Sequence, residues 1–358
     1  MLLRSVLHRS VLHRSAVLRS ALLRYVLRRL AIAAGLLLGS TLVGFALVQA
    51  VPGDPVAANL SDQALGDPAA VAAFRAKWGL DRPLPMQYLA YLGNLLQGDL
   101  GTSQQTGRPV LADLLDHVPA TIELVLPAIV LSVVLGTAIG MYAALRQGRA
   151  GDQAVRVGAL LGLSTPQFWL SVLALYLFFY VLGVSPNGGR LSPQFSPPPR
   201  VTGMYSLDAL LAGQLDVAWD AVQHIALPVL VLSVVTTATL VRFVRSAILE
   251  VLRKDYIAAA YAKGLPARTV LLRHLLRAGL VQIITMTSLA FASMLAGTVL
   301  VESVFSWPGV GEYAYASASA LDRPAILGVC LFVAAVYIVV NLAVDLLYGV
   351  ADPRIRLT

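Results

Sequence analysis

The chain has 358 residues, of which 58% are hydrophobic and only 13% charged, and its mean hydropathy is +0.75. A soluble domain carries roughly a quarter charged residues, because water must solvate its surface. This composition therefore excludes a soluble protein and defines an integral membrane protein, with the lipid bilayer as its surrounding solvent; the long apolar runs described below make it an all-α one. The net charge of +8 would suggest nucleic acid in a soluble chain, but the basic residues fall in alternate loops and no nucleic-acid partner is expected. Cys330 is the single cysteine and lies in an apolar run, so an intramolecular disulfide is excluded and the thiol reads as a small hydrophobe.

Residues 1–29 form a basic tail containing a five-residue repeat: Ser5-Val-Leu-His-Arg9, Ser10-Val-Leu-His-Arg14, Ser15-Ala-Val-Leu-Arg19 and Ser20-Ala-Leu-Leu-Arg24. A five-residue step turns about 140° around a helix, so the arginines wind around the axis and make no single polar stripe. The tail reads either as an interfacial segment on anionic lipid or as a tail without ordered structure, or a reading frame opened too early; the second is preferred. Residues 30–51 lack any charge and are long enough, at about 1.5 Å per residue, to cross the roughly 30 Å hydrocarbon core. Pro52-Gly-Asp-Pro55 ends this first span, because proline removes a donor and biases the residue before it away from helix.

Residues 52–118 are polar and read as a small extracytoplasmic helical insertion, with short amphipathic helices at 71–78 and 86–97. Residues 119–350 hold five further apolar spans, near 120–145, 158–183, 222–245, 280–301 and 325–349. The third of the six contains Ser164-Thr165-Pro166-Gln167 and should be kinked there. Arg146, Arg149 and Arg156 follow the second span, and Arg242, Arg245, Arg253, Lys254, Lys263, Arg268, Arg273 and Arg277 follow the fourth. The intervening loops are acidic or mixed, with Asp208, Asp216 and Asp220 in one and Glu302, Glu312 and Asp322 in the other. The positive-inside bias and the even number of spans together place both termini, including residues 351–358, in the cytoplasm.

Chemistry on this chain is hard to assemble. There is no phosphate-cradling G-x-x-x-x-G-K-[ST] and no H-E-x-x-H, the five histidines are scattered, and Gly309-Val-Gly311 is a turn. No catalytic residue, metal ligand or cofactor is assigned, and the chain does not read as an enzyme. A carrier driven by ions usually buries an ionisable group at mid-depth; here Glu123, Glu302 and Asp345 lie near span ends. Ser164, Thr165, Gln167 and Asn341 are candidates to line a polar route, and Gln282, Thr285 and Ser288 are others; interhelical hydrogen bonding is the plainer reading for each.

The loop at 246–279 is the most informative stretch. Asp255 suits a cap for a helix starting at Tyr256, Ala258, Ala259 and Ala260 favour helix with little bulk, Gly264 allows a reversal, and Pro266 can open the next helix. The segment Asp255-Tyr256-Ile257-Ala258-Ala259-Ala260 through Lys263-Gly264-Leu265 resembles the EAA loop of bacterial ABC-importer permeases, in the version of the dipeptide/oligopeptide branch. Val51-Pro-Gly-Asp-Pro55, Gly79-Leu-Asp-Arg-Pro83, Gly98-Asp-Leu-Gly101, Phe305-Ser-Trp-Pro-Gly309, Asp345-Leu-Leu-Tyr-Gly349 and Asp352-Pro-Arg354 resemble further landmarks of that family, in order. Ala258 replaces the glutamate that names the motif, Ala278 a usual asparagine and Gln282 a usual proline, which leaves the helix geometry after His274 open.

The resemblance implies six transmembrane helices of the type I ABC-importer permease fold in a bacterial plasma (inner) membrane. It also implies a second homologous permease subunit, two cytoplasmic ABC ATPase subunits that hydrolyse ATP and grip the loop, and an extracytoplasmic substrate-binding protein. The expected cargo is a di- or oligopeptide. Nickel or another small solute on the same machine is the nearest alternative, followed by a self-sufficient secondary transporter and a membrane-bound enzyme.

Overall fold

In the computed structural model, residues 28, 29 and 31–351 are described. The five-residue repeats and Asp352-Pro-Arg354 lie outside the described residues. Five described helices are long and apolar enough to cross a membrane, and a bent pair makes a sixth crossing if it is one span. The first is α1, Ala31–Ala50.

The insertion follows as four short helices: α2 (Pro55–Asn59), α3 (Asp62–Leu65), α4 (Pro68–Trp78) and α5 (Leu84–Leu96). Local chemistry sets their ends. Asp54, Ser61 and Asp67 accept backbone amide protons from the first turns of α2, α3 and α4, which stabilises a helix by about 1 kcal/mol each. Gly79 closes α4 with φ +63°, a left-handed conformation that costs glycine little. α4 and α5 stand where two amphipathic helices were expected, at 71–78 and 86–97, each starting slightly earlier, but only α5 gathers its apolar residues on one face.

The spans that carry the core are α6 (Val110–Leu145) and α10 (Leu215–Leu252), both of which continue beyond the expected 120–145 and 222–245. Between them lie α7 (Ala150–Ser164), α8 (Gln167–Ala174, continued by a π-helical stretch Leu175–Val181) and α9 (Tyr205–Leu211). Then come α11 (Asp255–Ala262), α12 (Ala267–Thr269), a π-helical turn Val270–Leu275, α13 (Leu276–Val304), α14 (Val310–Ser319) and α15 (Arg323–Ala351). The helix runs without a break through Ala278 and Gln282, since glutamine at 282 keeps the amide that proline would remove.

The expected kink at Pro166 is a break of 98° between α7 and the α8 segment. Thr165, held extended by the following proline, sits at ψ 120°, and its hydroxyl donates to the Leu161 carbonyl at 2.7 Å. Each half is too short to cross alone: the 15 residues of α7 reach about 22 Å.

α6 and α10 form the central pair. Leu124, Ala128, Val231, Leu232, Met294 and Trp307 are buried in one cluster shared with α13. Glycine permits the close approach further along, where a Cβ on Gly140 would stand 2.9 Å from both the Val241 carbonyl oxygen and the Val244 Cβ. The carbonyl belongs to the backbone and cannot swing away. Gly140→Ala should therefore destabilise the protein by about 1–3 kcal/mol through overpacking, seen as a lower thermal midpoint in detergent. Gly158→Ala on α7, where a Cβ meets nothing within 4 Å, should leave the midpoint unchanged or raise it.

Candidate functional site: a docking helix and a polar cavity

Two ends of the bundle differ. At one, the loops after α6 and α10 carry the arginines and lysines; at the other lie the insertion, α9 and α14. At the basic end, α11 is a short helix seated on the chain's own core. Ile257 and Ala260 are buried with Ala144, Val244, Ile248, Val251, Val270 and Leu275. Full burial of an isoleucine side chain contributes roughly 1.5–3 kcal/mol, so one anchor holds the helix in place.

The remaining expected residues divide by side. Asp255, Tyr256, Ala258, Ala259, Lys263 and Gly264 are exposed, as are Tyr261 and Ala262, while Leu265 is partly buried against the core. The outward surface is thus small at its centre and flanked by two tyrosines. Gly264 has φ +74° with open space around it, so it is conformation and not crowding that demands glycine. Asp255 differs from expectation: it is the first helical residue, Lys254 takes the cap position, and no side chain caps the helix. Its carboxylate still lies in the first turn, where negative charge is favoured. Pro266 precedes α12 as its cap, and the helix opens at Ala267.

Directly above this loop the sequence concealed a buried ion pair. Asp152 of α7, 1% exposed, accepts from Arg245 Nε at 2.6 Å and from its Nη2 at 2.7 Å, and also takes the Gly148 amide. This fork joins the first turn of the broken span to the part of α10 that leads into α11. Asp152 was not singled out in the sequence, and Arg245 was only a topological charge. Spacing gives no signal for a pair 93 residues apart.

A cavity of about 190 Å³ lies beside the break, lined by Gln167, Thr236, Thr239, Phe243, Met286 and Ser293 among others. Gln167 lies across Gly297 of α13: a Cβ there would come within 2.5 Å of its amide oxygen. The structure does not bring the four expected pathway residues together. Ser164 is exposed, Thr165 bonds its own helix, and Asn341 takes a long contact of 3.4 Å from Ser288 between α13 and α15. Only Gln167 of the four lines the cavity.

The opposite end is closed by two buried carboxylates. Glu123 of α6 pairs with Arg190 and accepts from the Ser206 amide and hydroxyl, both at 2.7 Å, while the Arg190 guanidinium stacks 3.6 Å from the Tyr205 ring centroid. Glu302 is fully buried and accepts from Thr121, Gly311 and Glu312, supplying the first turn of α14 with an acceptor from another helix. Trp307, also buried, donates its indole proton to the Ala120 carbonyl at 2.8 Å. Among the described residues no group of three or more His, Cys, Asp or Glu could hold a metal.

A broken span with a polar cavity beside it, and a short helix seated on the core at the basic end, make up the candidate site. The chain belongs to the family of binding-protein-dependent transport system inner membrane components: that family's model matches residues 136–357, and the model of its N-terminal part matches 22–125. It is thus a multi-pass permease subunit of an ATP-binding-cassette importer in an inner membrane. Its relatives include the probable D,D-dipeptide transport system permease protein of Escherichia coli K12, 43% identical over 90% of this chain and 95% of that protein. The di/tripeptide transport system permease protein of Pseudomonas aeruginosa is 41% identical over 90% of this chain and 96% of that one. A solved structure of the MetNI methionine ABC transporter, inward facing, aligns over 64% of this chain and 95% of that chain at a TM-score of 0.44 and 15% identity.

The Asp152–Arg245 fork yields a prediction. Asp152→Ala leaves a partly exposed guanidinium without its carboxylate and should cost about 1.5–3 kcal/mol, the range for hydrogen bonds to charged groups. Adding Arg245→Met should recover a large part of that loss, so the double variant should melt above the single one in detergent.

Proposed function

We propose that this permease conducts di- or oligopeptides, and that α11 and the turn at Gly264 form the contact through which two separate ATPase subunits drive it. The observation that carries the reading is the division of α11 into an inward anchor, Ile257 and Ala260, and an exposed outward surface on the end of the longest core helix. A connector with no partner would have no reason to present alanines and tyrosines to solvent at that place. The basic loops support a cytoplasmic location for this end, which is where ATP is, and they place both termini on the same side if the bent pair is one crossing. A second homologous permease completes the pathway, and a binding protein delivers cargo to the insertion end.

The names of the relatives support peptide cargo. On this chain the polar cavity at Gln167, Thr236, Thr239 and Ser293 is the proposed part of the pathway. Its hydroxyls and amide suit a substrate that carries its own peptide donors and acceptors, and irregular backbone at membrane depth is tolerated where it lines a cavity.

Gly264→Pro forces φ to about −65° at a position that needs +74°. That variant and Ala259→Glu should each abolish peptide uptake and ATPase pull-down while membrane insertion stays normal. Normal pull-down by both would sink the docking assignment. Gly297→Ala should displace the flexible Gln167 amide at little cost in stability; reduced uptake with unchanged ATPase binding is the expected result.

A further inference from the structure

We propose that the cavity between the end of α1, the α4–α5 hairpin and the first turn of α15 binds the phosphate headgroup of an anionic phospholipid. The cavity measures about 360 Å³, and three cationic residues line it: Lys77, Arg82 and Arg323. Among the described residues none of these three forms a salt bridge, whereas Arg75, close by in sequence, faces Asp54 at 3.9 Å. The one carboxylate in the lining, Asp99, already accepts the Gly101 amide at 2.8 Å. Asp54 acts on Arg323 from outside the lining, and Lys77 lies 5.2 Å from the Trp78 ring centroid. The cavity still lines up three cations against one carboxylate, an excess that favours an anion. Two of them are guanidinium groups, whose paired donors match phosphate oxygens.

Depth distinguishes a lipid from a free anion. Phe45 and Val48 come from the last turns of α1, and Arg323 and Leu327 from the first turns of α15, so the cavity sits where the hydrocarbon of both spans ends. That is headgroup level. Below it, Leu36, Val43 and Leu47 leave much of α1 uncovered, a surface along which acyl chains can lie. Tyr91 also lines the cavity, and its buried hydroxyl has no hydrogen-bond partner among the described residues. Basic pockets between membrane helices recognise anionic headgroups by this combination of charge and depth.

The test is native mass spectrometry of the full-length protein purified from membranes, titrated with dioleoyl-phosphatidylglycerol or dioleoyl-phosphatidylcholine. Wild type should retain phosphatidylglycerol with about tenfold preference, and Arg82→Gln/Arg323→Gln should remove that preference. Arg82 is exposed, so Arg82→Gln alone carries no packing cost and should weaken retention by about threefold. Equal retention of the two lipids by wild type, or unchanged retention by Arg82→Gln, would overturn the proposal. Displacement of phosphatidylglycerol by millimolar inorganic phosphate would show a site for phosphate alone and overturn the lipid assignment.

Discussion

A polar group that leaves water on this chain is costly unless it finds a partner inside the protein, because hydrocarbon offers none. That constraint explains where the charges are. Asp152, Glu123, Glu302 and Asp322 are all buried, and each accepts backbone amides or an arginine at an end of the bundle. None stands unpaired at mid-length. The interruption of helix at Thr165 and Pro166, the one within an apolar span among the described residues, obeys the same constraint: the threonine hydroxyl meets a carbonyl on its own helix, and the break borders a polar cavity.

The buried carboxylates also explain how the two ends stay rigid while the middle is lined by adaptable side chains. Glu302 and Thr121 tie α13, α6 and α14 into a fixed cap, with Val310 donating its amide to the Thr121 hydroxyl. The Arg245–Asp152 fork fixes α7 to α10 at the other end. Between these ties the cavity walls carry Met286 and Met294, unbranched side chains that reshape at little cost.

Much of this was legible in the chain. Long apolar runs, loop charges and proline punctuation revealed the spans, the break at Pro166 and the insertion helices, because each depends on residues adjacent in sequence. Gly264 and the alanines revealed α11 for the same reason. The cap at Lys254 in place of Asp255 is a one-residue shift of a helix end, the least determined feature of any local pattern. What stayed hidden was the pairing of distant charges. Arg190, not singled out in the sequence, is buried against Glu123, Tyr205 and Trp307, and hydrogen bonds across 67 residues leave no periodicity to read. Asn341 and Gln167, alike as polar residues in apolar runs, separate only once packing sends one to a helix contact and the other to a cavity.

Asp322, in the turn before α15, accepts the Ser103 hydroxyl and the amides of Gln104 and Gln105. It is the acceptor that seats the end of the insertion, and it is made 218 residues after Gln104. At a synthesis rate of about 5–20 residues per second, the insertion waits on the order of ten to forty seconds for it. Until Asp322 is made, the Ser103 hydroxyl and the Gln104 amide lack this acceptor, while the Gln105 amide still has the Ser103 hydroxyl beside it. The last crossing of the chain therefore does more than complete the bundle. The turn that leads into it also brings the acceptor that seats residues 103–105, so the insertion gains its final hydrogen bonds from a residue made much later in synthesis.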